Sequence, residues 1–246
     1  MKRFPADNPF LAANAARTRW HRVVPALPGQ RAWLTGEGSL TQRLKRASGA
    51  FEVVRLAQGR GGASSDEADC IRVPAPGQAR SQWQPEQQEQ QEQRVSRRGA
   101  PRRLATLTRE VLLVCDGLPT VFAHSVIDAS ALRGRWRWLA GLGTRPLGEA
   151  LFSDPQVRRG PLRFRRLRAP DRRYRGAAAA LSARGLPVPQ SLWARRSVFS
   201  AGGRQLLVTE VFLPAVASLR PARAQQPVLP RIPQCVPVAD EPADGR

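Results

Sequence analysis

The stretch Arg109-Glu110-Val111-Leu112-Leu113-Val114-Cys115-Asp116-Gly117-Leu118-Pro119-Thr120-Val121-Phe122-Ala123-His124-Ser125-Val126-Ile127 decides the fold. Its two apolar runs, 109–115 and 121–127, are rich in the β-branched and aromatic residues that suit a pleated, buried surface and read as strands. Between them Asp116-Gly117 is a tight-hairpin signal, because both residues tolerate positive φ. The two strands are therefore expected to lie side by side and antiparallel.

Further strands lie on both sides of this hairpin. Gln205-Leu206-Leu207-Val208-Thr209-Glu210-Val211-Phe212-Leu213 is the most strand-like stretch of the chain, and Pro214 ends it. Gly202-Gly203 supplies a turn before it, and Trp193 to Phe199 leads into a strand. Upstream, Phe51-Glu52-Val53-Val54-Arg55-Leu56 reads as another. Two short helices interrupt the pattern. Ser39-Leu40-Thr41-Gln42 fits a capping box, followed by a helix with Leu40 and Leu44 on one face and Gln42, Arg43 and Lys45 outward. Thr144-Arg145-Pro146-Leu147 opens the second, which runs through Leu151 and Phe152, with Thr144 as the expected N-cap. Strands joined by hairpins with short helices between them imply an α+β fold on an antiparallel β-sheet, one domain over residues 28–215.

Four segments fall outside this pattern. Residues 1–27 read as a loose leader, and 216–246 as a disordered Pro/Ala/Arg-rich tail. Residues 58–103 are polar without periodicity, including a Gln/Glu tract from Glu86 to Gln93, and read as a flexible insertion that cannot offset its ordering entropy. Residues 158–175 read as an arginine-dense connector.

Composition excludes several classes. No apolar run approaches the ~20 residues needed to span a bilayer. Met1-Lys2-Arg3-Phe4-Pro5 has no apolar core behind its charges, so no signal peptide is expected and the protein is expected to be cytoplasmic. Cys70, Cys115 and Cys235 lack CxxC spacing, and only His21 and His124 are present, so neither a disulfide framework nor a metal site is expected. The net charge of +21 suggests nucleic acid. However, every basic residue but Lys2 and Lys45 is arginine, a skew that GC-rich coding produces, so no specific nucleic-acid partner is expected. The basic tail is a candidate for weak contact with an anionic membrane surface. Gly141-Leu142-Gly143 is no dinucleotide fingerprint, since Pro146 occupies the third glycine position, and there is no GxxxxGK[ST] or GxSxG.

Two charges stand inside otherwise apolar strands. Leu206, Val208, Glu210 and Phe212 share one face of their strand, so Glu210 is expected to be buried and to need a partner. Arg109, which begins another apolar strand, is the natural candidate. The pair is either an ion pair that locks the sheet or the centre of a site. The free N–H groups around Leu40 and Leu147 lie in first helical turns, where an anion is favoured; taken singly, each is better explained by plain capping. The cluster Arg133, Arg135, Trp136, Arg137 and Trp138 reads as a solvated face over a packed tryptophan, with a stacking platform for single strands as the alternative. His124 reads as a packed or hydrogen-bonded side chain.

At these residues the sequence resembles the bacterial chorismate pyruvate-lyases. The matching segments are Gly38 to Thr41, Arg109 to Leu113 with Asp116-Gly117, Leu142 to Gly148 with Leu151-Phe152, Trp193 to Ser197, and Leu206 to Pro214. The resemblance implies an antiparallel sheet whose ligand is enclosed under flaps, no cofactor, and conversion of chorismate to 4-hydroxybenzoate and pyruvate toward ubiquinone. It places substrate-binding positions on Leu40, Arg109, Leu147 and Glu210, with Arg109 and Glu210 as the catalytic pair, and a monomer is expected. A non-catalytic small-ligand-binding module of the same fold is the alternative, with a basic nucleic-acid-binding protein ranked after it.

Overall fold

The hairpins assemble into one seven-stranded sheet. The computed structural model describes residues 20–24, 29–71 and 104–220. Helices α1 (Arg31–Thr35) and α2 (Leu40–Ala47) precede strand β1 (Phe51–Gly62) and helix α3 (Ser65–Ile71). Strands β2 (Ala105–Cys115) and β3 (Leu118–Asp128) follow, then helix α4 (Leu147–Ser153), strands β4 (Arg158–Arg159) and β5 (Arg163–Leu167), and helix α5 (Arg172–Ser182). Strands β6 (Leu192–Ala201) and β7 (Arg204–Phe212) complete the sheet. The order is β1-β2-β3-β7-β6-β4, with β5 also on β6, and every pairing is antiparallel.

Both expected turns form as two-residue loops with positive φ at each position: 50° and 77° at Asp116 and Gly117, and 56° and 69° at Gly202 and Gly203. That is the type I′ geometry, whose twist matches the strands it joins. Near the first turn the ladder slips by one residue, pairing Val114 with Pro119 but Leu113 with Val121, so Thr120 is an extra residue on β3.

Layers of side chains cover both faces. On one face Leu40 and Leu44 of α2, with Trp33 and Leu34, pack on Val111, Leu113, Val121 and Phe212. Leu151 of α4 joins Trp136, Leu139, Phe199 and Leu206 farther along the same face. On the opposite face α5 packs Tyr174, Ala177 and Leu181 on Leu112, Phe122 and Val211. Gly176 permits that approach, because a Cβ there would lie 2.7 Å from Phe122 Cζ. Ile71 of α3 packs beside them on Val126 and Leu207.

Several boundaries differ from the sequence reading. The segment assigned to the insertion begins with regular structure: β1 runs on to Gly62, and α3 follows. The polar pattern hid both. Gly61 is required there because Thr108 Oγ1 would lie 2.7 Å from a Cβ, and Thr106 Oγ1 donates to Gly61 O at 2.6 Å. Ser64 and Glu67 form half of a capping box, with Ser64 N donating to Glu67 Oε2 at 2.9 Å. The rest of the insertion, Glu86 to Gln93 included, lies outside the described residues. Trp20 and Val24, placed in the leader, pack on the domain: Trp20 Nε1 donates to Asp66 Oδ2 at 3.2 Å, and Val24 is buried. Val216, placed in the tail, is buried, and the tail beyond residue 220 lies outside the described residues. The 158–175 connector holds β4, β5 and the start of α5, and Phe164, Leu167 and Arg173 within it are buried. Pro146, not Thr144, is the N-cap of α4. Trp136 is buried and donates Nε1–H to Ala201 O at 3.2 Å, which makes the basic cluster around it a solvated face.

Candidate active site

The face that carries α2 and α4 has a cavity with about 580 Å3 of free space, counting its open mouth. Leu40, Arg109, Leu147 and Glu210 all line it. Alternation places them there. Arg109 faces the same way as Val111 and Leu113 on β2, Ala123 and Ser125 on β3, and Val208 and Glu210 on β7. Leu40 and Leu147 begin the two helices that close over the sheet. The helices meet closely at Gly148, where a Cβ would lie 2.9 Å from Thr41 Oγ1 and 3.2 Å from Ser39 Oγ. At the rim Lys45 Nζ of α2 reaches Glu149 Oε1 of α4 at 2.5 Å. Ser39 caps α2, its Oγ accepting from Gln42 N at 3.4 Å.

Arg109 and Glu210 share the cavity but are not each other's partner, contrary to the expected pairing. Glu210 Oε2 takes Arg195 Nε at 2.5 Å. The register explains this. Arg195 lies directly opposite Glu210 on the adjacent strand, whereas Arg109 is two strands away, about 10 Å at normal strand spacing. Arg195 was the missed residue, and counting back from the Gly202-Gly203 loop would have found it. Its Nη1 donates to the carbonyls of Trp33, Leu34 and Gly36 at 3.0–3.1 Å, satisfying acceptors at the C-terminal end of α1. Arg43 adds bonds to Trp33 O and Ala32 O, so two guanidiniums pin the segment that leads into α2.

Arg109 is 2% exposed. Its Nη1 donates to Gln58 Oε1 at 2.8 Å and to Gly143 O at 2.7 Å, and Nη2 to Arg145 O at 3.4 Å. Its buried Nε has no partner among the described residues. Burial, followed by the nearby Arg55, lowers its pKa, as expected for a cation held without a counter-ion. A third arginine, Arg159 of β4, also lines the cavity and was part of the connector in the sequence reading. Its Nε donates to Ser197 Oγ at 3.0 Å and its Nη1 to Gly38 O at 3.3 Å. Its guanidinium carbon lies 5.5 Å from the Phe152 ring centre and 5.7 Å from that of Phe199. Burial, then Arg195, lowers its pKa while Glu210 raises it. The rest of the lining is largely apolar, with Val53, Val111, Leu113, Leu151 and Val208 among its members. Such a chamber is suited chemically to an anionic ligand with an apolar body, its charges met by guanidinium groups held in place by hydrogen bonds.

The opposite face carries a second cluster of charges. His124 is fully buried, with Nδ1 3.1 Å from Glu110 Oε1 and Nε2 3.2 Å from Glu67 Oε1, the latter an ion contact without hydrogen-bond alignment. Arg173 reaches Glu67, Asp66 and Asp171. Burial opposes a charge on His124, but Glu110 and Glu67 outweigh it and raise its pKa. Glu67 is held down at about 2; burial is the largest single influence and acts upward, and the His124 contacts lead those that overcome it. Among the described residues no group of three or more His, Cys, Asp or Glu side chains is arranged to hold a metal, and no helix is long and apolar enough to cross a membrane.

A profile described as "Chorismate lyase" matches residues 79–219. A protein of Cupriavidus metallidurans named "Probable chorismate pyruvate-lyase" is 45% identical over 80% of this chain and 81% of its own length. One of the same name from Azoarcus sp. is 40% identical over 87% of this chain and 96% of its own. Among solved structures, the ligand-binding domain of a putative GntR-family transcriptional regulator from Bordetella bronchiseptica aligns with a TM-score of 0.41 at 17% identity, covering 80% of this chain and 93% of that one. The extent and identity of the sequence matches place this chain in the chorismate lyase family.

Proposed function

We infer that the chain is a carbon–oxygen lyase that eliminates pyruvate from chorismate to give 4-hydroxybenzoate, the aromatic acid that feeds ubiquinone synthesis. One observation carries the reading: a largely apolar chamber into which Arg109 brings an unpaired buried donor and Glu210 a carboxylate fixed by Arg195. In this reaction the ring carbon bearing the hydroxyl loses its proton and the ether bond to the enolpyruvyl group breaks. The bonding pair leaves with the enolpyruvate oxygen, and the fragment takes up a proton to become pyruvate. Aromatisation supplies the driving force, so the protein's task is to hold the dianion in the eliminating pose and exclude water.

Arg109 anchors a carboxylate with its remaining donors, helped by backbone N–H groups at the starts of α2 and α4, beside Leu40 and Leu147. Arg195 occupies Glu210 Oε2, which leaves Oε1 to accept a hydrogen bond from the ring hydroxyl and to assist proton transfer. The reaction asks for no redox step, so we assign no cofactor. The enzyme acts as a cytoplasmic monomer on this reading. The experiment is direct. Purified chain is mixed with chorismate, and 4-hydroxybenzoate is followed by absorbance. Arg109→Met and Glu210→Gln are expected to lose turnover by at least about a hundredfold while remaining folded. Full turnover in both variants would remove these two residues from the site.

A further inference from the structure

Among the described residues the charged side chains that line the cavity do not balance. Four charged side chains line it: Arg109, Arg159, Arg195 and Glu210. Arg195 and Glu210 neutralise each other at 2.5 Å. The hydrogen-bond partners of Arg109 and Arg159 among the described residues are neutral oxygens, those of Gln58, Gly143 and Arg145 for the first and of Ser197 and Gly38 for the second. Among the described residues the lining therefore carries an excess of two positive charges, and the carboxylates of Glu210 and Glu37 act on Arg159 without bonding to it. Arg109 and Arg159 stand on β2 and β4, which three intervening strands separate, so their backbones are about 19 Å apart at normal strand spacing. An anion held by Arg109 on β2 leaves Arg159 free at the other end.

On the lyase reading, which this inference assumes, the substrate is a dianion with one carboxylate on the ring and one on the enolpyruvyl group. The aromatic product keeps only the first. We propose that Arg159 binds the enolpyruvyl carboxylate and is the residue by which the site distinguishes substrate from aromatic product. Its surroundings suit the task. Phe152 and Phe199 flank the guanidinium, and the bonds from Nε to Ser197 and from Nη1 to Gly38 O fix its plane, leaving Nη2 for a carboxylate. The contact to Gly38 ties this arginine to the segment that opens α2, and Phe152 ties it to the end of α4, so it stands where both covering helices meet the sheet. When the ether bond breaks, the enolpyruvate carries its carboxylate with it. Arg159 thus follows the leaving fragment, and Arg109 keeps the ring.

The test compares two ligands on Arg159→Gln, which keeps hydrogen-bond donors but no charge, and Arg159→Lys, which keeps the charge. Steady-state turnover gives KM and kcat for chorismate, and calorimetry gives Kd for 4-hydroxybenzoate. Arg159→Gln is expected to raise KM for chorismate about tenfold to a hundredfold while Kd for 4-hydroxybenzoate changes less than about threefold. Arg159→Lys is expected to recover most of the lost affinity for chorismate. A parallel weakening of both ligands would overturn the proposal, because a purely structural arginine bridging Gly38 and Ser197 would weaken both. So would equal rescue by Gln and Lys, or an unchanged KM in Arg159→Gln. Absence of 4-hydroxybenzoate from the wild-type chain would instead overturn the lyase reading on which the proposal rests.

Discussion

Replacing Arg195 by methionine tests whether one guanidinium holds both the site carboxylate and the segment that covers it. The substitution keeps much of the side chain's length and removes its charge. It leaves Glu210 without its 2.5 Å partner and the carbonyls of Leu34 and Gly36 without the Arg195 donor, while Trp33 O keeps only its bond from Arg43. Breaking a buried pair from one side costs about 3–5 kcal/mol. Glu210 is 17% exposed, which favours the lower end of that range, while the stranded carbonyls push the cost upward. The expected loss is about 4 kcal/mol, or a fall of about 2 M in the urea midpoint for an m-value of about 2 kcal/mol/M. Glu210→Gln alone should cost less, because its partner keeps three carbonyl acceptors. The double variant should recover at least about 1.5 kcal/mol relative to the sum of the single losses, since it leaves no lone carboxylate. Equilibrium urea unfolding of the four proteins provides the measurement. A midpoint shift below about 0.5 M in Arg195→Met, or strict additivity in the double variant, would refute the reasoning.

Two further outcomes are expected elsewhere in the molecule. Gly148→Ala should help α4 by about 1 kcal/mol of helix propensity, yet its methyl would meet Thr41 Oγ1 at 2.9 Å and push α4 from α2. Steady-state kinetics should therefore show a several-fold rise in KM for chorismate without loss of Tm, with Thr41→Ala restoring KM; an unchanged KM would argue that the two helices do not seal the chamber. The His124 cluster predicts a pH profile. A raised histidine pKa contributes stability in full below its unfolded value near 6.5 and loses it as pH rises through the folded value. Glu67, depressed to about 2, contributes in full above its unfolded value near 4.5 and loses its share as pH falls toward 2. Urea midpoints should hold level from about pH 4.5 to 6.5 and decline on both sides, and Glu67→Gln should flatten much of both limbs. A profile in which Glu67→Gln leaves both limbs intact would exclude the cluster as their source.

Much of this molecule could be read along the chain because the deciding interactions are local. Asp116-Gly117 and Gly202-Gly203 specify their turns through positive φ, and the alternation around Glu210 puts that residue on the face of Val208 and Phe212. Leu40 and Leu147 could be placed at helix starts by their neighbours. Arg195 was also within reach, since a two-residue loop at 202–203 fixes it opposite Glu210. Helix α3 had a legible cap in Ser64 and Glu67, obscured by the polar tract around it. Arg159 gave no comparable signal: it sits in a two-residue strand among many arginines, and its place in the cavity depends on β6, α2 and α4 together.

The sequence alone determined which residues form hairpins and which strand faces carry charge, because φ preferences and a period of two act between near neighbours. Tertiary structure decided which face meets which chemistry. Counting straight back from Asp116-Gly117 would pair Arg109 with His124 and bring both into the chamber. The extra residue at Thr120 shifts the register by one, so that Arg109 meets Ser125 and His124 meets Glu110 on the opposite face. Both faces of β2 and β3 are largely apolar, so the pattern itself did not choose between these registers. Packing chose: α2 and α4 close over Arg109 and Glu210 on one side, and α3 brings Glu67 to the histidine on the other.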